Sequence, residues 1–350
     1  MGRSPLAADL DEVLARTPKL WDGLRGARLF LAGGTGFVGT WLLESLLHAD
    51  RALGLGVKAV VLTRDAAAFR ARSPRLAADR RLDFQQGDIG DFPFFPGGFT
   101  HAVHAAAAVD ARSIQGPSDP ERDAIVAGAR RMLEFAEQAG VKKFLFVSSG
   151  AVYGRQRRDL PRVAENDPSL AAPLDPPSAY GEGKRRAERL CADASARGLD
   201  ATIVRPFALI GPGLPLNAHF AIGNFLRDAL KGGPIDVQSD GTSVRSYLYA
   251  SDLAVWLWTI LLKGTPGQAY NVGSERGVPI AELARLVAAQ TAPGTEVRMA
   301  RQPMPGKLQE RYVPDTARAR AELSLRESVD LEEALRRTAA SERARAAQIL

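Results

Sequence analysis

A chain of 350 residues, 45% hydrophobic and 25% charged, has the composition of a globular protein able to bury a sizeable core. Its single cysteine, Cys191, excludes a disulfide framework and suits a reducing compartment, and no apolar run nears the roughly 20 residues of a membrane span. The net charge of +6 comes from arginines dispersed among acids, as in Arg185-Arg186-Ala187-Glu188-Arg189, with no aromatic-studded basic stripe, which argues against nucleic acid as a partner.

The N-terminus lacks the apolar core of a secretion signal, so a cytoplasmic protein with no membrane partner is expected. Residues 5–26 read as a short amphipathic helix on Leu10, Val13, Leu14 and Leu20. A compact apolar strand follows at 28–32, then a glycine-rich turn from Gly33 to Gly39 and a helix over 40–48. Further strands are expected at 57–63, 82–85, 101–104, 144–148 and 201–205, with helices over 121–139 and 179–196 between them. Strands alternating with helices imply βαβ units and a parallel sheet. After Pro206 the rhythm changes: a loop over 211–216, a helix over 220–231, a short strand at 234–237 and helices over 253–262, 279–289 and 331–338. The fold class expected is therefore α/β, a Rossmann-type doubly wound parallel sheet with a smaller, interleaved α/β C-terminal lobe. The division expected is 1–206 for a dinucleotide and 207–350 for a substrate, with part of 247–273 packing back on the first unit.

The run Gly33-Gly-Thr35-Gly36-Phe37-Val38-Gly39 lies between a strand and a helix, the context in which glycines let backbone N–H groups approach a pyrophosphate at a helix N-terminus. Its spacing is Gly-x-x-Gly-x-x-Gly rather than Gly-x-Gly-x-x-Gly. Far downstream, Tyr180 and Lys184 stand four residues apart, which on a helix puts them on one face about 6 Å apart along the axis. A neighbouring ammonium favours phenolate, so the tyrosine is expected to fall from about 10 towards neutrality and to exchange protons with a hydroxyl. Four histidines and one cysteine show no metal-ligand spacing, so no metal is expected.

That loop together with Tyr180 and Lys184 resembles the extended short-chain dehydrogenases/reductases that modify nucleotide-linked sugars, the epimerase/dehydratase family. Further segments match in the family's order across almost the whole chain. They are Gly87-Asp88-Ile89, His104 to Ala107, Ser148-Ser149-Gly150-Ala151-Val152-Tyr153-Gly154, Arg205 to Pro212, Asp240 to Asp252, Asn271-Val272-Gly273 and Arg311 to Asp315. The resemblance implies catalysis by Ser149, Tyr180 and Lys184, with Lys184 also binding the nicotinamide ribose. It implies a dinucleotide held by Gly33, Thr35, Gly36, Phe37, Val38, Gly39, Thr63, Arg64, Asp88, Ile89, Ala105 and Ala106. A nucleotide-diphosphate sugar would meet Ser149, His219, Phe220, Arg245 and Arg311, the arginines through charge-assisted bonds to its phosphates. A homodimer built from the helices over 121–139 and 179–196 is also implied.

Departures narrow the reaction. Dehydratases of this family carry an Asp-Glu pair after the catalytic hydroxyl, and UDP-glucuronate decarboxylases a glutamate at the second of those positions. Here they are Gly150 and Ala151, which disfavours both reactions. The second strand ends Leu62-Thr63-Arg64-Asp65, where relatives that prefer NAD usually carry an acid in place of Thr63. Without that acid a 2′-phosphate is not repelled, and Arg64 could pair with it, so NADP(H) is expected over NAD(H). The ending resembles that of CDP-abequose-type 4-ketoreductases. Ala208, Ile125 and Ala129 also replace residues usual in the family, so substrate placement is expected to differ. The reaction expected is hydride transfer at C4 of a nucleotide-linked hexose, first as reduction of a 4-keto-6-deoxy sugar. Alternatives are 4-epimerisation on tightly bound NAD and a non-catalytic cofactor sensor, the latter having no use for Ser149, Tyr180 and Lys184.

Overall fold

The computed structural model describes residues 6–106, 119–218, 220–304, 306 and 309–347. The single helix expected over 5–26 is two pieces: α1 (Ala7–Arg16) and a separate 3-10 turn at Leu20–Leu24. Pro18 between them drives Thr17 out of helical geometry and cannot donate to a continuing helix, and Lys19 follows with φ 64°.

From there strands and helices alternate: β1 (Arg28–Ala32), α2 (Phe37–Leu53), β2 (Lys58–Thr63), α3 (Ala66–Arg72), α4 (Pro74–Ala77), β3 (Leu82–Gln86), β4 (His101–His104), α5 (Asp119–Gln138), β5 (Lys143–Val147), α6 (Ala179–Ala196) and β6 (Asp200–Pro206). The strands from 28 to 206 are short apolar runs buried along most of their length, as a sheet covered on both faces requires. The chain then leaves the sheet through β7 (Ala208–Ile210), α7 (Ala221–Leu230), β8 (Ile235–Val237), β9 (Val244–Arg245) and β10 (Tyr247–Tyr249), and returns through α8 (Ala250–Lys263) and β11 (Ala269–Val272). β11 pairs in parallel with β6, completing a seven-stranded sheet of order β11-β6-β5-β4-β1-β2-β3. The doubly wound α/β class read from the sequence is the one found.

Two apolar clusters sandwich that sheet. On one face α1, α2 and α8 contribute Leu10, Trp41, Leu46, Trp256 and Trp258. On the other, α5 and α6 meet Phe30, Phe144 and Phe146 through Met132, Phe135, Ala187 and Cys191. The apolar run in α8 is explained by its place: every residue from 250 to 261 is buried, so it reads as hydrophobic all round. A third cluster joins α7 and β8 to β12 (Val278–Pro279), α9 (Ile280–Thr291), β13 (Val297–Met299) and α11 (Leu331–Ala347), chiefly through Ile222, Leu226, Leu283 and Leu335. The remaining elements are β14 (Arg311–Tyr312) and α10 (Ala317–Leu323), α10 packing Ala319 into the first cluster. Three small sheets stitch this region: β10 with β7, β13 with β8, and β12-β9-β14. Among the described residues no helix is long and apolar enough to cross a membrane.

Trp258 joins α8 to α2 and to the Leu20–Leu24 turn. Its indole N–H donates to Ser45 Oγ at 2.8 Å, and its ring lies 5.4 Å from that of Trp21. Trp258→Ala is expected to cost about 3–5 kcal/mol through cavity formation, read as a shift in the urea unfolding midpoint; a cost under about 1 kcal/mol would show that α8 does not anchor this face.

Candidate active site

The carboxyl ends of β1, β2, β4 and β5 open onto one cavity of about 1440 Å³, the place where open α/β sheets take ligands. Gly33, Thr35, Gly36, Phe37, Val38 and Gly39 form one wall, Thr63 and Arg64 another, with Asp88, Ile89, Ala105 and Ala106 along the sheet edge. Gly33 has φ +83°, and a Cβ there would lie 2.4 Å from the Ala106 nitrogen. Only glycine lets the loop lie this close to the end of β4. Gly36 precedes the first turn of α2 with no side-chain cap, so N–H groups of that turn are left for another acceptor and sit at the positive end of the helix dipole. A close-packed glycine loop with uncapped donors fits a dinucleotide's diphosphate.

Across the cavity, α6 presents Tyr180 and Lys184 on one face, and the turn after β5 presents Ser149. Ser178 starts the helix by accepting a hydrogen bond from Gly181 N at 3.1 Å, an N-cap that sets its register. Lys184 is 2% exposed; its ammonium donates to the Val147 carbonyl at 2.8 Å and lies 5.8 Å from the centre of the Tyr180 ring. Burial pulls Lys184 down to about 8, against a partial counter-pull from Glu188. Ser149 caps the short turn Gly150–Tyr153, its Oγ accepting from Ala151 N at 3.1 Å. Its hydroxyl is also within hydrogen-bonding reach of the Tyr180 and Tyr312 phenols.

The acidified phenol expected from the four-residue spacing is not what the cleft provides. Burial pushes the Tyr180 phenol up, Ser149 partly offsets this, and the Glu121 carboxylate pushes it further. Desolvation is the largest cause, and the Lys184 ammonium, itself desolvated, is directed at a backbone carbonyl. Tyr180 is therefore a protonated phenol at neutral pH.

Ser148, adjacent to Ser149, is committed elsewhere. It donates to Glu188 Oε1 at 2.5 Å, and Glu188 in turn takes Arg205 Nε at 3.0 Å and Nη2 at 2.7 Å. Arg205 reaches the Tyr153 hydroxyl at 2.7 Å, and Tyr153 donates to Asn271 Oδ1 at 2.7 Å. This buried chain lies behind Lys184 and joins β5, α6, β6 and β11, leaving Ser149 as the free hydroxyl of the pair.

Phe220 and Arg245 line the same cavity, Phe220 being 46% exposed. Arg311 does not: β14 turns Tyr312 inward, and the Arg311 guanidinium donates to Gln309 Oε1 at 3.2 Å. Strand alternation sends neighbouring side chains to opposite sides, so Tyr312 lines the cavity where Arg311 was expected. His219 and Ala107 lie outside the described residues. Among the described residues no group of three or more His, Cys, Asp or Glu side chains is placed to hold a metal.

Tyr312 is a cavity residue that sequence reasoning missed. A Cβ on Gly150 would lie 2.5 Å from its hydroxyl and 3.0 Å from the Phe207 ring, so the phenol occupies the space into which a side chain at 150 would project. The Phe207 ring packs on Tyr312 at 4.5 Å between centroids, tilted by 37°. The Gly150 departure was the available signal, but nothing local to it names the residue 162 positions later that β14 carries in. Arg72 was also missed; it lines the cavity and donates to the Thr35 carbonyl at 2.6 Å.

Residues 29–273 match the model of a family described as the NAD dependent epimerase/dehydratase family. The chain is 26% identical to UDP-glucuronic acid decarboxylase 6 of Arabidopsis thaliana over 312 residues, 88% of this chain and 86% of that one. It is 27% identical to dTDP-glucose 4,6-dehydratase of Streptomyces antibioticus over 315 residues, 89% and 90% of the two chains. Among solved structures, the dTDP-glucose 4,6-dehydratase DesIV double mutant of Streptomyces venezuelae with NAD and DAU bound superposes with a TM-score of 0.75 at 28% identity, covering 90% of this chain and 97% of that one. UDP-glucose 4-epimerase of Thermotoga maritima shares the fold with a TM-score of 0.75 at 23% identity, covering 91% and 99%.

The Lys184 shift carries a stability prediction. The unfolded chain holds this proton up to about pH 10.5 and the folded chain only to about 8, so this group's contribution to stability rises with pH between those values. Against Lys184→Met, the wild-type protein is expected to gain stability from pH 8 to pH 10 in urea titrations. A difference that stays flat over that window would mean that the ammonium is not desolvated.

Proposed function

The chain belongs to the NAD dependent epimerase/dehydratase family, and from that premise we propose that it reduces the C4 ketone of a nucleotide-diphosphate-linked 4-keto-6-deoxyhexose. The observation that carries this reading is the meeting of Ser149, Tyr180 and Lys184 around one cavity with no carboxyl group at 150 or 151. Elimination of water needs an acid and a base beside the reacting carbons, and those positions hold glycine and alanine. Simple reduction needs only a proton donor and a grip on one oxygen.

The glycine loop would hold the diphosphate of a nicotinamide dinucleotide, which when bound would supply the hydride for C4. Ser149 donates a hydrogen bond to the ketone oxygen and fixes its direction. Tyr180 delivers its proton to that oxygen as the C–O bond becomes an alcohol, and the nearby Lys184 ammonium steadies the phenolate left behind. A phenol pushed up by burial suits this donor role at neutral pH. It suits less well the opening step of an epimerase, which must take a proton from an alcohol.

Thr63 and Arg64 on the cavity wall favour NADP(H), since no acid at 63 repels a 2′-phosphate and a guanidinium is at hand to meet it. Arg245, whose guanidinium also reaches the cavity, would meet the sugar diphosphate, with Phe220 at the nucleotide end. Ser149, Tyr180 and Lys184 serve proton transfer and have no use in a pure cofactor sensor. In this reading 1–206 serves the dinucleotide and 207–350 the sugar, and the exposed sides of α5 and α6 form a homodimer.

A second reading, 4-epimerisation on retained NAD, is favoured by the NAD-bound relative in the same fold. The test is a panel of UDP-, dTDP-, CDP- and GDP-linked 4-keto-6-deoxyhexoses with NADPH and NADH, followed by loss of reduced-cofactor absorbance. Consumption of NADPH in preference to NADH is expected, and Tyr180→Phe should lower kcat at least about 100-fold with dinucleotide affinity within about threefold. Protein that purifies with bound NAD and interconverts hexoses without consuming NADPH would hand the reading to the epimerase.

A further inference from the structure

Ser149 has one O–H to give and two lone pairs with which to accept. One lone pair is taken by Ala151 N at 3.1 Å. Within reach of what remains are two phenols, Tyr180 from α6 and Tyr312 from β14, and, on the reading above, the ketone oxygen. How that single hydrogen is directed decides whether Ser149 can hold the substrate.

Resting on that reading, we propose that Tyr312 is a positioning residue for ketone reduction: its phenol fills the last acceptor site of Ser149 and so commits the serine hydroxyl to donating, to the Tyr180 oxygen in the free protein and to the ketone oxygen when substrate is bound. The placement of Tyr312 is built. Its backbone sits in β14 in register with Arg245 of β9, its ring packs in a tilted pair with Phe207 at 4.5 Å, and the Arg245 guanidinium lies 5.9 Å from the ring centre. The hydroxyl then reaches the site through the space left by the missing side chain of Gly150, where a Cβ would lie 2.5 Å away. Burial keeps this phenol far above its ordinary range, so it remains a donor at any working pH.

Without the Tyr312 hydroxyl, Ser149 regains a lone pair and can accept from the Tyr180 phenol. That bond stabilises the neutral phenol, so Tyr180 would ionise at higher pH, and the serine hydrogen is no longer forced onto the ketone. The groups facing Tyr180 are Lys184 on its own helix, Glu121 on α5, Ser149 after β5 and Tyr312 on β14, with Arg245 of β9 beyond Tyr312. Tyr312→Phe alters only one of these and keeps the packed ring.

The experiment is a double-mutant cycle of Tyr312→Phe and Ser149→Ala on the full chain, with tyrosine titrations followed by isotope-labelled NMR. Tyr312→Phe is expected to lower kcat on the order of tenfold, the worth of about one hydrogen bond, with KM within about threefold. The basic limb of the pH–rate profile and the Tyr180 resonance should both move to higher pH. In the Ser149→Ala background the same substitution should cost nothing further. Independent, multiplied losses in the double variant would overturn the proposal, as would an unmoved Tyr180 resonance in Tyr312→Phe. If the wild-type protein reduces no 4-keto sugar, the function reading fails by itself, while the Tyr180 resonance still decides whether Tyr312 acts through Ser149.

Discussion

The Lys184 ammonium, buried and donating to the Val147 carbonyl at 2.8 Å, ties α6 to the carboxyl end of β5, and the candidate site is arranged around that tie. One helical turn earlier on the same face stands Tyr180, opposite Ser149 in the turn that β5 feeds. One turn later stands Glu188, engaged by Ser148 and by both arms of the Arg205 guanidinium. Residues four apart share a helix face, so a single line along α6 carries a phenol at the cavity, an ammonium beneath it and a carboxylate in the core. A lone ammonium this deep is costly; the carbonyl in front and the carboxylate behind make it tolerable, and the cost remains visible as its fall to about 8.

On the turn after Ser149 this chain has Gly150 and Ala151 and brings the Tyr312 phenol in from β14. A side chain at 150 and the phenol at 312 cannot share the space. A carboxylate can take a proton from carbon; a phenol held protonated by burial only donates. The likeness to a UDP-glucuronic acid decarboxylase and a dTDP-glucose 4,6-dehydratase runs over most of the chain.

Much of this was legible from local pattern. The apolar runs at 28–32 and 101–104 and the helix at 179–196 coincide with β1, β4 and α6, because buried parallel strands and a capped amphipathic helix leave strong local signatures. The glycine loop named its own geometry. The break at Pro18 was overlooked although proline states it directly, and the helix over 40–48 proved longer, running from Phe37 to Leu53. What was not legible depended on distant partners. The two-residue strands β9 and β14 carry no periodicity, yet their pairing decides that Tyr312 and not Arg311 enters the cavity. Glu188 looked like one more acid on a charged helix until β6 supplied Arg205. The direction of the Tyr180 shift was misjudged for the same reason, since spacing reveals a neighbouring charge but not how far both groups are removed from water.

The central claim, a protonated phenol and a serine donor meeting a ketone as hydride arrives, is tested most directly by isotope transfer. NADPH carrying deuterium at its reactive carbon would be incubated with a nucleotide-linked 4-keto-6-deoxyhexose, and the product analysed by mass spectrometry and NMR. One deuterium at C4 of the sugar, with stoichiometric NADP formed, is the result predicted. Turnover of nucleotide sugars that leaves C4 unlabelled while the added NADPH is untouched would contradict the account.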